Sequence, residues 1–259
     1  LSEEIGIQEG RIVLNLLLGI DDTDNHDSIG TGQLAGFLAG QLAEVCRAEC
    51  SAVTRHQLFV HPDIPYTSHN SAMCFTARVQ SSDYDRLLET AAGFLRTNGA
   101  QGSDPGLCVV RLGSLKDSRS LISFGRAAKE RLVNKDEAYT LASRLKVHLS
   151  EHGGTGDGVV GALAGTGLRL SGNDGRFRGW TSFEVEDQVL SVGQLCDRGG
   201  YEAVQTETGR ELAPEETLRL VPRVKAVLLR GRCVVLAERS SDSGGPDWQI
   251  LPKERLKRY

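Results

Sequence analysis

The chain has 259 residues, 39% hydrophobic and 25% charged, with a formal net charge of -4, the balance of a globular protein with room for one large domain or two modest ones. That excludes a disordered chain, and the negative charge argues against the whole surface acting as an electrostatic trap for nucleic acid. No run approaches the roughly 18 apolar residues that a membrane span needs, and the acidic start Leu1-Ser2-Glu3-Glu4 lacks the positive lead of a secretory signal.

In chain order, residues 13–20 form an apolar run that predicts a fully buried strand, followed by the polar loop 21–30. Residues 31–50 carry helical spacing at Leu34, Leu38, Leu42 and Val45, a stripe that Cys46 and Cys50 continue. A second strand is expected over 52–60, then a loop over 61–71 stiffened by Pro62 and Pro65. Alternation at Met73, Phe75, Ala77 and Val79 predicts a third strand, and Ser82 and Asp83 are placed to cap a helix running to about Thr97. After the turn 101–106 comes a strand over 107–112, then helix from 118 to 151, interrupted near Val133-Asn134. The glycine-rich segment 153–167 follows, with a helix starting near Val159.

Beyond Trp180 the elements become short. Strands are expected over 181–186, 224–230 and 233–238, with Arg230-Gly231-Arg232 as a hairpin and 240–247 as a loop. The reading is an α/β (α+β) protein, with a catalytic core over 11–180 and a small strand-rich region over 181–259. The six cysteines, at 46, 50, 74, 108, 196 and 233, include no Cys-x-x-Cys pair. They read as buried free thiols, the usage of a cytoplasmic protein, without zinc-ligand spacing.

Three segments carry chemistry. Asp21-Asp22-Thr23-Asp24 sets three carboxylates in four positions directly after a buried strand, where α/β proteins commonly bind ligands. Two such charges about 5 Å apart repel by roughly 3 kcal/mol at an effective dielectric near 20. Magnesium offsets that repulsion, held by one or two carboxylates while waters and phosphate oxygens fill its other positions. The alternative is an acidic surface turn; calcium-loop spacing is absent.

The second segment, 153–165, contains Gly156, Gly158 and Gly161 in G-x-G-x-x-G spacing, but no Gly-Lys-Ser/Thr of a Walker loop. Its glycines either open backbone N–H groups to an anion at a helix N-terminus, with Asp157 as cap, or let the helix pack closely. The third, the loop 61–71, offers Tyr66 for stacking on a base and His69 and Asn70 for substrate or phosphate contacts, or else is a proline-stiffened connection. His56 and His61 are given no special role.

Together these runs resemble the catalytic part of the archaeal agmatidine synthetases, which modify the anticodon wobble cytidine of an isoleucine transfer RNA. Matching stretches occur in the family's order: Gly19-Ile20-Asp21-Asp22-Thr23-Asp24, then Ile64-Pro65-Tyr66 with Asn70-Ser71-Ala72, then Asp104-Pro105-Gly106-Leu107, and last Gly156-Asp157-Gly158-Val159-Val160-Gly161-Ala162-Leu163-Ala164. The resemblance implies a kinase-like and a ferredoxin-like part, with ATP and Mg2+ as cofactors. It also implies chemistry in which ATP phosphorylates the cytidine C2 carbonyl oxygen before agmatine displaces the phosphate.

Carried over by position, Asp21, Asp22 and Asp24 are the catalytic, metal- and phosphate-handling carboxylates. Thr23, Gly156, Asp157, Gly158 and Gly161 line the nucleotide, and Tyr66, His69 and Asn70 meet the substrate. The chain departs from the family in three places. Thr31-Gly32 stands where the family has adjacent threonines, one of them phosphorylated, and Ser68-His69 stands where it has a basic residue. The family's OB-fold and cysteine-rich zinc ribbon have no counterpart in these residues.

The expected function is therefore an ATP- and magnesium-dependent ligase or phosphotransferase with an unidentified acceptor, transfer RNA being one candidate. Its competitors are a nucleotide-binding regulatory module without turnover and a phosphatase using Asp22 as nucleophile and Asp24 as acid.

Overall fold

The structure, a computed structural model, describes residues 7–8, 11–62, 70–240 and 245–259. The chain folds as two compact units, Leu1–Ser171 and Gly172–Tyr259, and the secondary structure is mixed α/β.

In the first unit, strand β1 (Ile7–Gln8) folds back on β2 (Arg11–Asp21), which leads into helix α1 (Thr31–Cys46). Then come β3 (Glu49–Cys50), β4 (Thr54–Gln57), β5 (Ser71–Gln80), α2 (Tyr84–Asn98) and β6 (Gly106–Arg111). Helices α3 (Ser118–Glu130) and α4 (Lys135–Leu145), strand β7 (His148–Glu151) and helix α5 (Gly158–Leu170) complete it. The strands lie in the order β7-β6-β2-β5-β4, every neighbour antiparallel, with β3 also on β5.

Both faces of this sheet are covered, which is why β2 reads as a continuous apolar run and not as an alternation. Leu16, Leu18 and Ile20 point into a core with α1 and α2, while Leu17 points into a second core with α3, α4 and α5.

Several elements differ from expectation, each for a local reason. Helix α1 stops at Cys46 because Arg47 adopts a left-handed φ of 52° and returns its N–H to the Leu42 carbonyl. Cys50 therefore leaves the helical stripe and pairs with Ala77 as half-buried strand. The second strand covers only Thr54–Gln57. Neither Ser82 nor Asp83 caps α2; they form a 3-10 turn, and no side-chain cap bond is made. The helix expected to reach Glu151 breaks after Glu130, and Asn134 caps α4. It ends at Leu145, where Lys146 takes φ 55°, and residues 148–151 satisfy their backbone on β6 instead. A strand thus precedes the glycine-rich run, but it is antiparallel to β6, so the parallel βαβ setting of a dinucleotide fold is still missing.

Helix α5 is small-residue-rich because it crosses the sheet at backbone contact. A Cβ on Gly19 would lie 2.3 Å from the Ala162 carbonyl oxygen, and one on Gly106 would lie 2.2 Å from the Gly158 carbonyl carbon. On its other flank, a Cβ on Gly167 would meet the Leu121 carbonyl of α3 at 2.2 Å. Close packing is what these glycines do here.

The second unit contains β8 (Arg176–Phe177), β9 (Val189–Ser191), α6 (Val192–Gly199), β10 (Ala203–Thr206), β11 (Thr217–Arg219), β12 (Ala226–Leu229), β13 (Arg232–Arg239) and β14 (Trp248–Ile250). Strand β13 is central, antiparallel to β12 and β14 and parallel to β10. The expected hairpin is present: Leu229 pairs with Arg232, and Arg230 and Gly231 both have positive φ, as a two-residue turn requires. The expected strand over 181–186 reduces to a single bridge, Thr181 to Val224.

Glycine substitutions should separate packing from propensity. Gly19→Ala is expected to destabilise the protein by on the order of 1–3 kcal/mol through overpacking. Gly40→Ala, in α1 with nothing within 4 Å of the added Cβ, should stabilise it by up to about 1 kcal/mol. Urea denaturation followed by far-ultraviolet circular dichroism checks both signs; equal effects would contradict the packing argument.

Candidate functional site

Register brings the motifs to one end of the first unit's sheet. Asp21, the last residue of β2, pairs with Gly106, which pairs with Glu151, while Ile20 pairs with Met73 and Gln57 with Ser71. The loop after β2, the turn before β6, the glycine run after β7 and the connection from β4 to β5 therefore all leave the same sheet end. Of that last connection, Tyr66 and His69 lie outside the described residues. Asn70 is described: its side-chain amide donates to the Phe59 carbonyl at 2.7 Å, and its own carbonyl accepts from Leu58 N–H at 2.9 Å. It closes its own loop.

The acidic loop is organised around Thr31 Oγ1, at the start of α1. This hydroxyl accepts from the Thr23 hydroxyl at 3.0 Å and donates to Asp24 Oδ1 at 2.8 Å. Thr23 is buried, and its carbonyl accepts the Ala100 N–H at 3.0 Å. Thr23 and Asp24 are thereby fixed against helix α1 and the turn before β6, while Gly30, the N-cap of α1, offers no side chain.

Asp21 and Asp22 are less compensated. The Asp21 carboxyl presses on α5, where a Cβ on Gly161 would fall 1.6 Å from its Oδ2. Desolvation first, and Asp22 and Asp24 after it, push this carboxyl up to about 7 against the one N–H bond it accepts, from Asp22. Asp22 has φ 50°, a left-handed conformation that costs a non-glycine residue about 1 kcal/mol or more. Desolvation and then the charges of Asp104, Asp24 and Asp157 push its carboxyl up to about 6, opposed by the Asp104 N–H it accepts. No lysine or arginine is among the main groups acting on either.

Asp104 and Glu151 belong to this site but were not singled out as site residues in the sequence. The Asp104 carboxylate accepts the Thr155 N–H and, at 2.9 Å, the Thr155 hydroxyl. Gly154, at φ 55°, has no Cβ to block this; one would lie 1.6 Å from Asp104 Oδ1. Glu151 sits under Gly156, accepts the Tyr139 hydroxyl at 2.8 Å and pairs with Lys135 at 3.2 Å. Lys135 also donates to the Thr155 carbonyl at 2.6 Å. The signal for Asp104 was present: an acid in the turn immediately before a buried strand. Nothing local marks Lys135 or Glu151.

The glycines at 154, 156 and 161 thus make room for three carboxylates, and one loop N–H, that of Thr155, is already taken by Asp104. Asp157 precedes α5 but makes no side-chain cap bond, contrary to expectation; its charge acts on Asp22 instead.

Among the described residues, no three His, Cys, Asp or Glu side chains are arranged to hold a metal ion. The donor set therefore does not form an all-protein cage. It does suit a hydrated magnesium ion, which takes one or two carboxylates and fills the rest of its shell with water and phosphate. Asp21 and Asp22, with uncompensated repulsion, are the pair a cation would relieve. All six cysteines are free, Cys46, Cys74 and Cys108 buried and the other three half-buried. No helix among the described residues is long and apolar enough to cross a membrane.

No protein-family model matches the chain, and no curated protein sequence does. Among solved structures it is similar to the agmatidine synthetase TiaS in a complex with tRNA and ATP, at 24% identity and a TM-score of 0.50, over 60% of this chain and 36% of that one. Apo TiaS gives 24% identity and 0.50, over 59% and 35%. TiaS with tRNA, AMPCPP and agmatine gives 19% and 0.51, over 73% and 45%. The chain spans less than half the length of each, and the likeness shows a common fold.

Asp21 and Asp22 have a testable effect on stability. Their folded values, about 7 and about 6, lie above the ordinary 3.8, so the folded state keeps protons that the unfolded chain releases. This contribution is full below the ordinary value and is lost as pH rises through about 6 to 7. Without added cation, the melting temperature should fall between about pH 4 and 7 and level off above that, with on the order of 2 kcal/mol at stake for Asp21 after allowing for its partial exposure. Asp21→Asn should flatten that dependence and melt higher at the alkaline end; an unchanged slope would contradict the assignment.

Proposed function

We propose that the chain is an ATP- and magnesium-dependent enzyme that activates an oxygen of an acceptor by phosphoryl transfer. One observation carries the reading: Asp21 and Asp22 are desolvated together at the loop-bearing end of the sheet, with Asp24, Asp104 and Asp157 nearby. Concentrated, unneutralised carboxylates are costly in a resting protein and become favourable once a divalent cation and its phosphates are present. The likeness in fold to a protein crystallised with ATP and with AMPCPP supports the nucleotide part.

In this reading Asp21 and Asp22 hold the cation, which supplies neutralisation of the phosphate charge. Asp24, fixed by Thr31, sets the electrostatic level of the loop. Thr23 and the run Gly156, Asp157, Gly158 and Gly161 border the nucleotide, and Gly158 begins α5, whose positive end faces this region. Lys135 steadies the glycine run through the Thr155 carbonyl. Tyr66, His69 and Asn70 remain the acceptor-side candidates.

RNA is the acceptor class with the most support. The TiaS structures that share this fold include complexes with tRNA. The second unit also presents Trp180, 38% exposed, with Lys225 Nζ at 4.3 Å and Lys253 Nζ at 5.7 Å from its ring centroid. An exposed aromatic ring among cations is a stacking platform for an unpaired base.

Calorimetric titration of ATP with magnesium, alongside measured ATP consumption with a pool of transfer RNA, tests the reading. Binding should require magnesium, and Asp22→Asn should weaken it by more than about 100-fold, the upper end for loss of a metal site's supporting partner. Tight binding without consumption under any acceptor would favour a regulatory module. Binding indifferent to Asp22→Asn would remove the proposal.

A further inference from the structure

At the opposite end of the β2–β5 pair, roughly 25 Å from Asp21 along β2, a cleft of about 410 Å³ opens. It is lined by Val13, Val79, Gln80 and Ser82 together with two arginines and two acids: Arg47, Arg78, Glu49 and Asp83. The volume falls within the range of small-molecule sites.

Its charges are unevenly matched. Arg78 pairs with Glu49 at 3.1 Å. The Arg47 guanidinium has no hydrogen bond or ion pair among the described residues, and the Asp83 carboxylate receives only a long contact from the Ser82 hydroxyl, at 3.5 Å. Gln80 Oε1 is buried there and has no hydrogen-bond partner. Among the described residues, a guanidinium without an ion pair and a weakly held carboxylate therefore share a single cleft.

Helix ends add the same two signs. Helix α1 ends at Cys46, directly before Arg47, so its negative end is here; α2 begins at Tyr84, directly after Asp83, without a side-chain cap, so its positive end is here too. A ligand of one sign would meet one half of this lining and be repelled by the other. A small ligand carrying both signs a few ångströms apart satisfies both.

We infer that this cleft binds a free α-amino acid, its carboxylate on Arg47 and the uncapped start of α2, its ammonium on Asp83, and its side chain against Val13 and Val79.

Calorimetry on the full chain, with the twenty amino acids titrated singly and with acetate, methylamine and orthophosphate as one-sign probes, tests the inference. At least one amino acid should bind, and the one-sign probes should not. Arg47→Asn, a residue that tolerates the left-handed conformation at this position, and Asp83→Asn should each weaken binding about tenfold, the usual loss for a charge-assisted hydrogen bond. Both variants should bind magnesium–ATP like the parent chain, which separates this site from the acidic one and confirms folding. No binding by any amino acid at millimolar concentration would overturn the inference. So would binding that survives both substitutions, or acetate or orthophosphate binding as well as the amino acid does.

Discussion

The backbone-to-backbone crossing of α5 over β2 and β6 is the constraint on which the first unit depends. Where Gly19 faces Ala162 and Gly106 faces Gly158, there is no space for a methyl group. Such an approach gathers dispersion contacts along the whole helix, and it admits no side chain larger than hydrogen at the crossing points. It also brings the first turn of α5 against the end of β2, so the Asp21 carboxyl lies against the helix at Gly161 and is desolvated there. The candidate site is a product of that packing.

From this follows the electrostatic character of the sheet end. Asp21 and Asp22 take up protons more readily than ordinary carboxylates because burial and their neighbours both oppose charge. Asp24 and Asp104 accept threonine hydroxyls, that of Thr31 for the first and of Thr155 for the second. The site thus divides its acids into two that accept threonine hydroxyls and two that accept a backbone N–H. Burial of Asp21 and Asp22 is a cost to the resting fold above the pH at which they lose their protons.

The glycine run is held in place by contacts of its own. Its positive-φ residues, Gly154 and Gly156, wrap the chain over Asp104 and Glu151, and Lys135 and Tyr139 hold it from the other side. Loop, turn and strand edge are tied into one hydrogen-bonded set next to Asp22.

How much of this was legible depended on whether the information was local. The β2 strand, the α1 stripe through Leu42, the alternation in β5 and the Arg230-Gly231 hairpin follow from periodicity and turn chemistry within a few residues, and the acidic cluster at the end of β2 follows from its position. The true end of α1 did not, because a left-handed Arg47 and a strand at Cys50 are stabilised by β5, far along the chain. Strand β7 was hidden for the same reason: His148–Glu151 has no apolar alternation of its own and is a strand only because β6 supplies its partners. By itself the sequence determined which segments are apolar and where the carboxylates and glycines fall. Only the tertiary structure decided that Asp104 stands beside Asp22, that Glu151 and Lys135 brace the same loop and that the glycines serve close packing, because desolvation and contact between distant segments exist only once the sheet and helices have come together.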